Sequence, residues 1–288
     1  MDENILEWLL AEDTPEVRLR TLKEYLKLSD GDTKVIECKN KLLQSKVYER
    51  ALKKLKKEKP WAKFDAIMAF AEWGLTRADI GSDIDEEVFS LIQSTGFKML
   101  CGEPYLLRNL VKLGYYQVDI VKDEIGCMLG KIKEDGGFGC ISSNKKMNEP
   151  KKPHKSCARL TVEYLLLVAE LHLLGIECEC ESALVHYFTK RNIFYRTDNR
   201  EAPMVDVMLE TFYPSDPIKV GVQNIVYALS VLGCPGKSEA MQAGYEVLNR
   251  HRLDNGRYRL TASKSVPAFK AGKVGEENKW ITLYAYMA

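Results

Sequence analysis

The chain has 288 residues, of which 45% are hydrophobic and 29% charged, so it is long enough to bury a large core as one big domain or two modest ones. Its 42 basic and 41 acidic residues leave a net charge of +1. This balance argues against a nucleic-acid partner, because such proteins usually carry a basic excess that neutralises phosphates.

The apolar runs and the cysteines bear on the compartment. No run of about 18 apolar residues occurs and the first residues are acidic, so we predict neither a membrane span nor a secretion signal and expect a cytoplasmic protein. The eight cysteines are then expected to be reduced thiols.

Helical periodicity dominates the chain and predicts an all-α fold. The first start signal is Thr14-Pro15-Glu16, in which Thr14 is expected to cap the helix and Pro15 to occupy its first position. Residues 39–63 are strongly basic, and their apolar spacing predicts an amphipathic helix with lysines on its solvent face. The acidic stretch 72–87 is expected to offset that charge.

A repeat is the most informative feature. Three apolar segments end in Leu-Gly, at Gly114, Gly175 and Gly233, where glycine supplies the left-handed residue that closes a helix. A weaker copy ends at Gly74, and residues 279–288 begin another. The repeat predicts a series of similar helices.

The repeated helices alternate in character. Residues 160–174 and 220–232 are apolar on nearly all sides, which predicts inner helices, whereas residues 118–133 and 238–250 are amphipathic, which predicts outer helices. Inner and outer helices in alternation suggest a curved solenoid or a closed α/α barrel.

Two similar turns follow the outer helices, at residues 135–138 and 254–258. Both combine Asp and Gly, which favour tight turns, with an aromatic residue, Phe138 or Tyr258, that can fold back between repeats.

The turn followed by a buried helix ending in Leu-Gly resembles the α/α toroid of squalene and oxidosqualene cyclases and of protein prenyltransferase β subunits, with Phe138 and Tyr258 in place of the cyclase tryptophan. The likeness is closest to prenyltransferase-like and squalene-cyclase-like proteins of anaerobes. It implies a single domain over residues 1–288, with a less regular helical region at 1–95 and a complete or incomplete α/α toroid at 96–288.

The catalytic motifs of these enzymes are poorly matched. The nearest approach to the acidic Asp-x-Asp-Asp motif of the cyclases is Asp83-Ile84-Asp85-Glu86, where a helix start capped by Ser82 or Asp83 explains the acids better. Catalysis is therefore not supported by motifs.

The zinc site of the prenyltransferases is also poorly matched, since no Asp-x-Cys occurs. A Cys₃His zinc site from His154, Cys157, Cys178 and Cys180 is an alternative. It is disfavoured because a helix over residues 160–174 would hold the two pairs apart, so structural thiols are preferred. No phosphate-binding loop occurs either, and we predict no cofactor.

In a toroid, polar residues near the starts of the inner helices would face a central cavity, because such residues are costly on apolar helices unless paired or facing a cavity. The candidates on the four helices are Tyr105, Arg108 and Asn109; Lys155, Cys157, Arg159 and Glu163; Lys219, Gln223 and Asn224; and Lys279, Trp280 and Tyr284. The alternative is that these residues bond one another or neighbouring backbone.

Residues 195–217 interrupt the helical alternation with three prolines and clustered acids. Long irregular segments are often functional, so Asp206, Glu210 and Tyr213 are expected over one mouth of the barrel. An outer helix at 204–211 with an acidic exposed face is an equal alternative.

Three functions remain open. The first is binding of an apolar, lipid or isoprenoid-like ligand in the central cavity without catalysis. The second is an active isoprenoid cyclase or prenyltransferase-like enzyme, and the third is a helical scaffold that grips a protein. No nucleic acid and no membrane span are predicted, and the oligomeric state is not indicated.

Overall fold

A computed structural model describes residues 1–97, 102–139, 156–264 and 271–288, apart from the side chain of Asp83. Its described residues are mostly helical, so the predicted all-α class is confirmed. The fourteen helices are α1 (Glu3–Leu9), α2 (Pro15–Arg20), α3 (Thr33–Leu43), α4 (Lys46–Leu55), α5 (Pro60–Glu72), α6 (Arg77–Ile80), α7 (Ser82–Thr95), α8 (Glu103–Lys112), α9 (Asp119–Leu129), α10 (Ala158–Leu173), α11 (Glu181–Thr189), α12 (Val222–Val231), α13 (Glu239–Asn249) and α14 (Lys279–Met287).

Four short elements accompany the helices in the described residues. A π-helical turn, Thr21–Tyr25, continues α2, and a 3₁₀ turn, Asp206–Leu209, precedes β1 (Phe212–Tyr213). β1 pairs in parallel with β2 (Ala262–Ser263), with Phe212 opposite Ala262. Among the described residues, no helix is long and apolar enough to cross a membrane.

One set of helices packs side by side in sequence. α5 contacts α8, α8 contacts α10, α10 contacts α12, and α12 contacts α14, which in turn contacts α2 and the π-helical turn. Hydrogen bonds join that turn region back to the end of α5: Arg20 Nη1 donates to Glu72 O at 2.8 Å and Lys23 Nζ donates to Gly74 O at 3.2 Å. If α2 and the π-helical turn that continues it are taken as one, each of these six helices has two neighbours within the set.

The remaining long helices lie against the members of this set. α3 contacts α2, α4 and α7 contact α5, α9 contacts α8, α11 contacts α10, α13 contacts α12, and α1 contacts α14. The burial of the two sets differs as the sequence predicts, since α10 buries 11 of its 16 residues, whereas α9 buries only Val121, Ile125 and Met128.

The glycine stops adopt the expected conformation. Gly74, Gly114, Gly175 and Gly233 all have positive φ angles between 72° and 89°. An L-residue rarely adopts this conformation, which explains why glycine closes each of these helices.

The two Asp/Gly turns are built alike. The N–H groups of Phe138 and Tyr258 donate to the hydroxyls of Thr161 and Thr282 on the following helix, at 3.0 and 2.9 Å. Phe138 also stacks on Tyr164 with a centroid separation of 3.6 Å. The turns thus attach an outer helix to the next inner one.

Three local expectations differ from the structure. Thr14 is the N-cap residue of α2 and Pro15 its first residue, as predicted, but the Thr14 side chain makes no capping bond and its hydroxyl accepts a hydrogen bond from Lys279 Nζ at 2.8 Å. The alternative outer helix at 204–211 is reduced to the 3₁₀ turn, because the chain becomes extended at Glu210 and continues into β1. At α7 the N-cap is Gly81 rather than Ser82, and the side chain of Asp83 lies outside the described part.

Candidate functional site

Buried polar side chains from four helices meet around one carboxylate, that of Glu72 at the end of α5. Its Oε1 lies 2.6 Å from Arg108 Nη2 and 3.2 Å from Lys112 Nζ, both from α8. Its Oε2 accepts a hydrogen bond from Tyr284 of α14 at 2.8 Å and lies 3.5 Å from Arg20 Nη1 of α2. Burial by itself would raise the pKa of Glu72, but Lys112, Arg108 and Arg20 outweigh it and hold this pKa far below its usual value.

Two further carboxylates complete the set of charges. Glu24 pairs with Arg20, and Glu170 of α10 lies 3.8 Å from Arg108 Nε and 3.7 Å from Lys112 Nζ. We call the following seven residues the central network: Arg20, Glu24, Glu72, Arg108, Lys112, Glu170 and Tyr284. It contains three cations and three carboxylates, so its charges balance.

Glu163 of α10 is different from these carboxylates. Its side chain is 0% exposed, and neither carboxylate oxygen has a hydrogen-bond partner among the residues that the structure describes. Arg108 Nη1 and Nε likewise have no hydrogen-bond acceptor there. Burial raises the pKa of Glu163 to about 8, against the lowering effect of Arg108 and with smaller raising effects from Asp216 and Glu72. Glu163 is therefore predominantly a neutral carboxylic acid at pH 7.

A non-helical segment, residues 210–219, covers the starts of α8 and α12, and we call it the connector. Tyr105 of α8 donates from its hydroxyl to Ser215 O at 2.8 Å, and Gln223 Nε2 of α12 donates to Phe212 O at 2.8 Å. Tyr213 is buried and stacks on Trp280 of α14 with a centroid separation of 5.0 Å.

The connector is fixed to a distant part of the chain by threonines. The Thr211 hydroxyl donates to Arg259 O at 2.7 Å and accepts from the N–H of Thr261 at 2.9 Å. These bonds extend the β1–β2 pair and hold Tyr213 in the interior.

Nine of the sixteen predicted site residues are buried in or beside the central network: Tyr105, Arg108, Asn109, Glu163, Tyr213, Gln223, Asn224, Trp280 and Tyr284. Several of these residues form hydrogen bonds with one another or with the backbone, as the alternative prediction from the sequence has it. Asn109 Nδ2, for example, donates to Tyr105 O at 2.8 Å, and Gln223 Nε2 to Asn224 Oδ1 at 2.6 Å.

Two other predicted residues, Cys157 and Arg159, line a separate cavity of about 650 Å³ at the start of α10. Its remaining walls include Asp135, Tyr187 and Met204. Asp206 is exposed and Glu210 is half-buried, with its backbone oxygen accepting from the N–H of Val222 at 2.8 Å. Lys219 is exposed, Lys279 pairs with Asp13 at 3.0 Å, and Lys155 lies outside the described residues.

The alternative zinc ligands are not brought together within the described residues. Cys157 precedes the first residue of α10, whereas Cys178 and Cys180 follow its last, and His154 lies outside the described part. No group of three or more His, Cys, Asp or Glu residues placed to hold a metal occurs in the described ranges. Burial raises the pKa of Cys178 to about 11, so this thiol stays protonated at neutral pH.

The sequence analysis missed five members of the central network: Arg20, Glu24, Glu72, Lys112 and Glu170. One signal was available for Glu72, which is a lone acid near the end of the apolar segment that closes at Gly74. Arg20 and Glu24 stand one helical turn apart on a helix that looks amphipathic, so nothing in the sequence marks them as interior.

Comparison with known proteins gives no match to a family model, a curated protein or a solved structure. The function is therefore argued from the geometry of the central network and of Glu163.

Proposed function

We propose that α2, α5, α8, α10, α12 and α14 are the inner ring of an α/α toroid. The side-by-side order of these helices supports the proposal, as do the hydrogen bonds from Arg20 and Lys23 to the end of α5. The packing of the other long helices against the six gives the second, outer layer that such a barrel requires.

We propose further that the middle of this ring binds a small, largely apolar ligand, lipid-like or isoprenoid-like, whose polar group lies between Glu163 and Arg108. The observation that carries the proposal is a set of buried atoms with no hydrogen-bond partner in the described part of the chain: both oxygens of Glu163 and Nη1 of Arg108, with Arg108 Nε reached only by Glu170 at 3.8 Å. Each unsatisfied buried polar atom costs about 1–3 kcal/mol, and a domain is stable by only about 5–15 kcal/mol. A polar guest at this position would recover much of that free energy.

Aromatic side chains supply the apolar surroundings of the proposed ligand. The Tyr105 ring lies 5.9 Å from the guanidinium carbon of Arg108, and Tyr213 of the connector stacks on Trp280. The connector covers the starts of α8 and α12, so a ligand would enter by displacing this segment. Pockets of this kind, apolar with a few fixed polar groups, are typical ligand sites.

Native mass spectrometry and crystallography of the purified protein test the proposal. We expect a retained small molecule that is released on denaturation, with electron density within hydrogen-bond distance of Glu163 and Arg108. Replacing Glu163 by Leu should abolish the retention, whereas Glu246→Gln, on the exposed face of α13, should not. A middle filled by side chains and ordered water alone would overturn the ligand-binding proposal.

A further inference from the structure

We infer that the polar group of the central ligand is an uncharged hydroxyl, so that the site takes an alcohol with an apolar chain; this inference rests on the proposed ligand-binding function. It follows from two properties of the site, its charge balance and its unpartnered atoms.

The charge balance excludes a charged head group. Arg20, Arg108 and Lys112 are each paired with carboxylates, and those carboxylates are Glu24, Glu72 and Glu170. Within the described residues, a carboxylate or phosphate added to this balanced set would have no free cation, and an ammonium would require Glu163 to give up its proton, which the burial of that side chain opposes. Burying an uncompensated charge is far more costly than burying a hydrogen-bonded neutral group.

The unpartnered atoms then specify the kind of neutral group. Arg108 Nε and Nη1 can only donate hydrogen bonds, whereas a protonated Glu163 offers one O–H donor and one acceptor oxygen. A hydroxyl accepts from Arg108 or Glu163 through its oxygen and donates its own proton to the second oxygen of Glu163. A ketone or ester would leave that oxygen unsatisfied.

The titration of Glu163 makes the inference dependent on pH. The ionisable groups that influence it are Arg108 and Tyr105 from α8, Glu72 from α5 and Asp216 from the connector. The buried polar residues at the start of α12, which packs against α10, are the uncharged Gln223 and Asn224. Deprotonation removes the O–H donor and adds a negative charge, so affinity for an alcohol should fall as the pH rises through about 8.

Three probes with the same chain test the inference: geraniol, geranic acid and geranylamine, titrated into the protein by isothermal calorimetry at pH 6.5. We expect geraniol to bind at least about tenfold more tightly than either charged probe. Between pH 6.5 and pH 9 its affinity should fall about tenfold, as expected when only the protonated form of a group with a pKa near 8 binds.

Variants at position 163 separate the role of the carboxylic acid from general packing. Glu163→Leu should weaken geraniol binding about tenfold or more, because leucine has no polar atom. Glu163→Gln should remove the pH dependence, because an amide keeps one donor and one acceptor at every pH. Glu246→Gln on the exposed face of α13 is the matched control, and circular dichroism melting verifies that each variant is folded.

The outcomes distinguish a failure of the proposed ligand-binding function from a failure of the hydroxyl inference. If none of the three probes binds, the proposed function fails. If they bind with equal affinity, if geranic acid or geranylamine binds most tightly, or if geraniol binding is independent of pH, the ligand-binding function stands and the hydroxyl inference is overturned.

Discussion

At the scale of single residues, two buried glutamates show how the same chemical group acquires opposite properties. Glu72 lies among three cations, which lower its pKa, whereas Glu163 is buried without a hydrogen-bond partner in the described part of the chain, which raises its pKa. Burial opposes ionisation in both, and the number of close cations decides which form is stable.

Replacing Glu163 by Gln should change how stability depends on pH. Folding raises the pKa of Glu163 from 4.5 to about 8. The contribution of the protonated side chain to the free energy of unfolding is therefore fully present below about pH 4.5 and is lost as the pH rises towards 8. We expect Glu163→Gln to be more stable than the unmodified protein at pH 8, by about 3–5 kcal/mol, and to lack that decline. Urea unfolding at pH 5 and pH 8 measures the difference; parallel declines in both proteins would contradict it.

Replacing Glu72 by Gln should have the opposite consequence. The pKa of Glu72 is lowered by folding, so its contribution is present above its usual pKa of 4.5 and is lost as the pH falls through the lowered value. At pH 7 the variant leaves three buried cations short of an anion and should lose about 3–5 kcal/mol. Urea unfolding at pH 7 and pH 3 tests this, and a neutral substitution at pH 7 would mean that the cations find other partners.

At the scale of elements, the sequence predicted local structure correctly where the conformation depends on a single residue. The helix ends at Gly114, Gly175 and Gly233 could be predicted because glycine adopts the left-handed conformation more readily than other residues. Sequence reasoning was less reliable at Thr14, whose hydroxyl is engaged by Lys279 from the far end of the chain. Such a tertiary contact overrides a cap that is worth only about 1 kcal/mol.

The turn at residues 135–138 provides a test at this scale. Gly136 and Gly175 both have positive φ, but a Cβ on Gly136 would lie 2.3 Å from the backbone oxygen of Ala183, whereas a Cβ on Gly175 would meet nothing within 4 Å. We expect Gly175→Ala to cost about 1–2 kcal/mol and Gly136→Ala about 1–3 kcal/mol more. Chemical denaturation compares the two, and equal costs would indicate that α11 moves freely away from the turn.

At the scale of the whole molecule, the repeat in the sequence predicts which helices are inner, but it does not predict that their charges form one network. Tyr284 and Glu72 are 212 positions apart and nevertheless joined by a hydrogen bond. Nothing local distinguishes Lys112 or Glu170 from a solvent-exposed charge. Only the packing of α5, α8, α10 and α14 brings these residues together.

A double-mutant cycle tests the link between α14 and α5. Tyr284→Phe and Glu72→Gln should be coupled by about 1–2 kcal/mol, since each removes the same charge-assisted hydrogen bond. Tyr245→Phe, whose hydroxyl donates to Ala288 O instead, should be additive with Glu72→Gln and is the control. Additivity in both cycles would show that the Tyr284–Glu72 bond contributes nothing measurable.

The stacking of Tyr213 on Trp280 gives the protein a built-in optical signal. Trp280 is 3% exposed and its neighbour belongs to the connector, whereas Trp61 is largely exposed and Trp8 lies between Arg257 and Lys279. With Trp8, Trp61 and Trp73 replaced by Phe, the tryptophan fluorescence of the protein, excited selectively over its tyrosines, would come from Trp280 alone. Its emission wavelength and lifetime would then report each displacement of the connector as it happens, without any added dye.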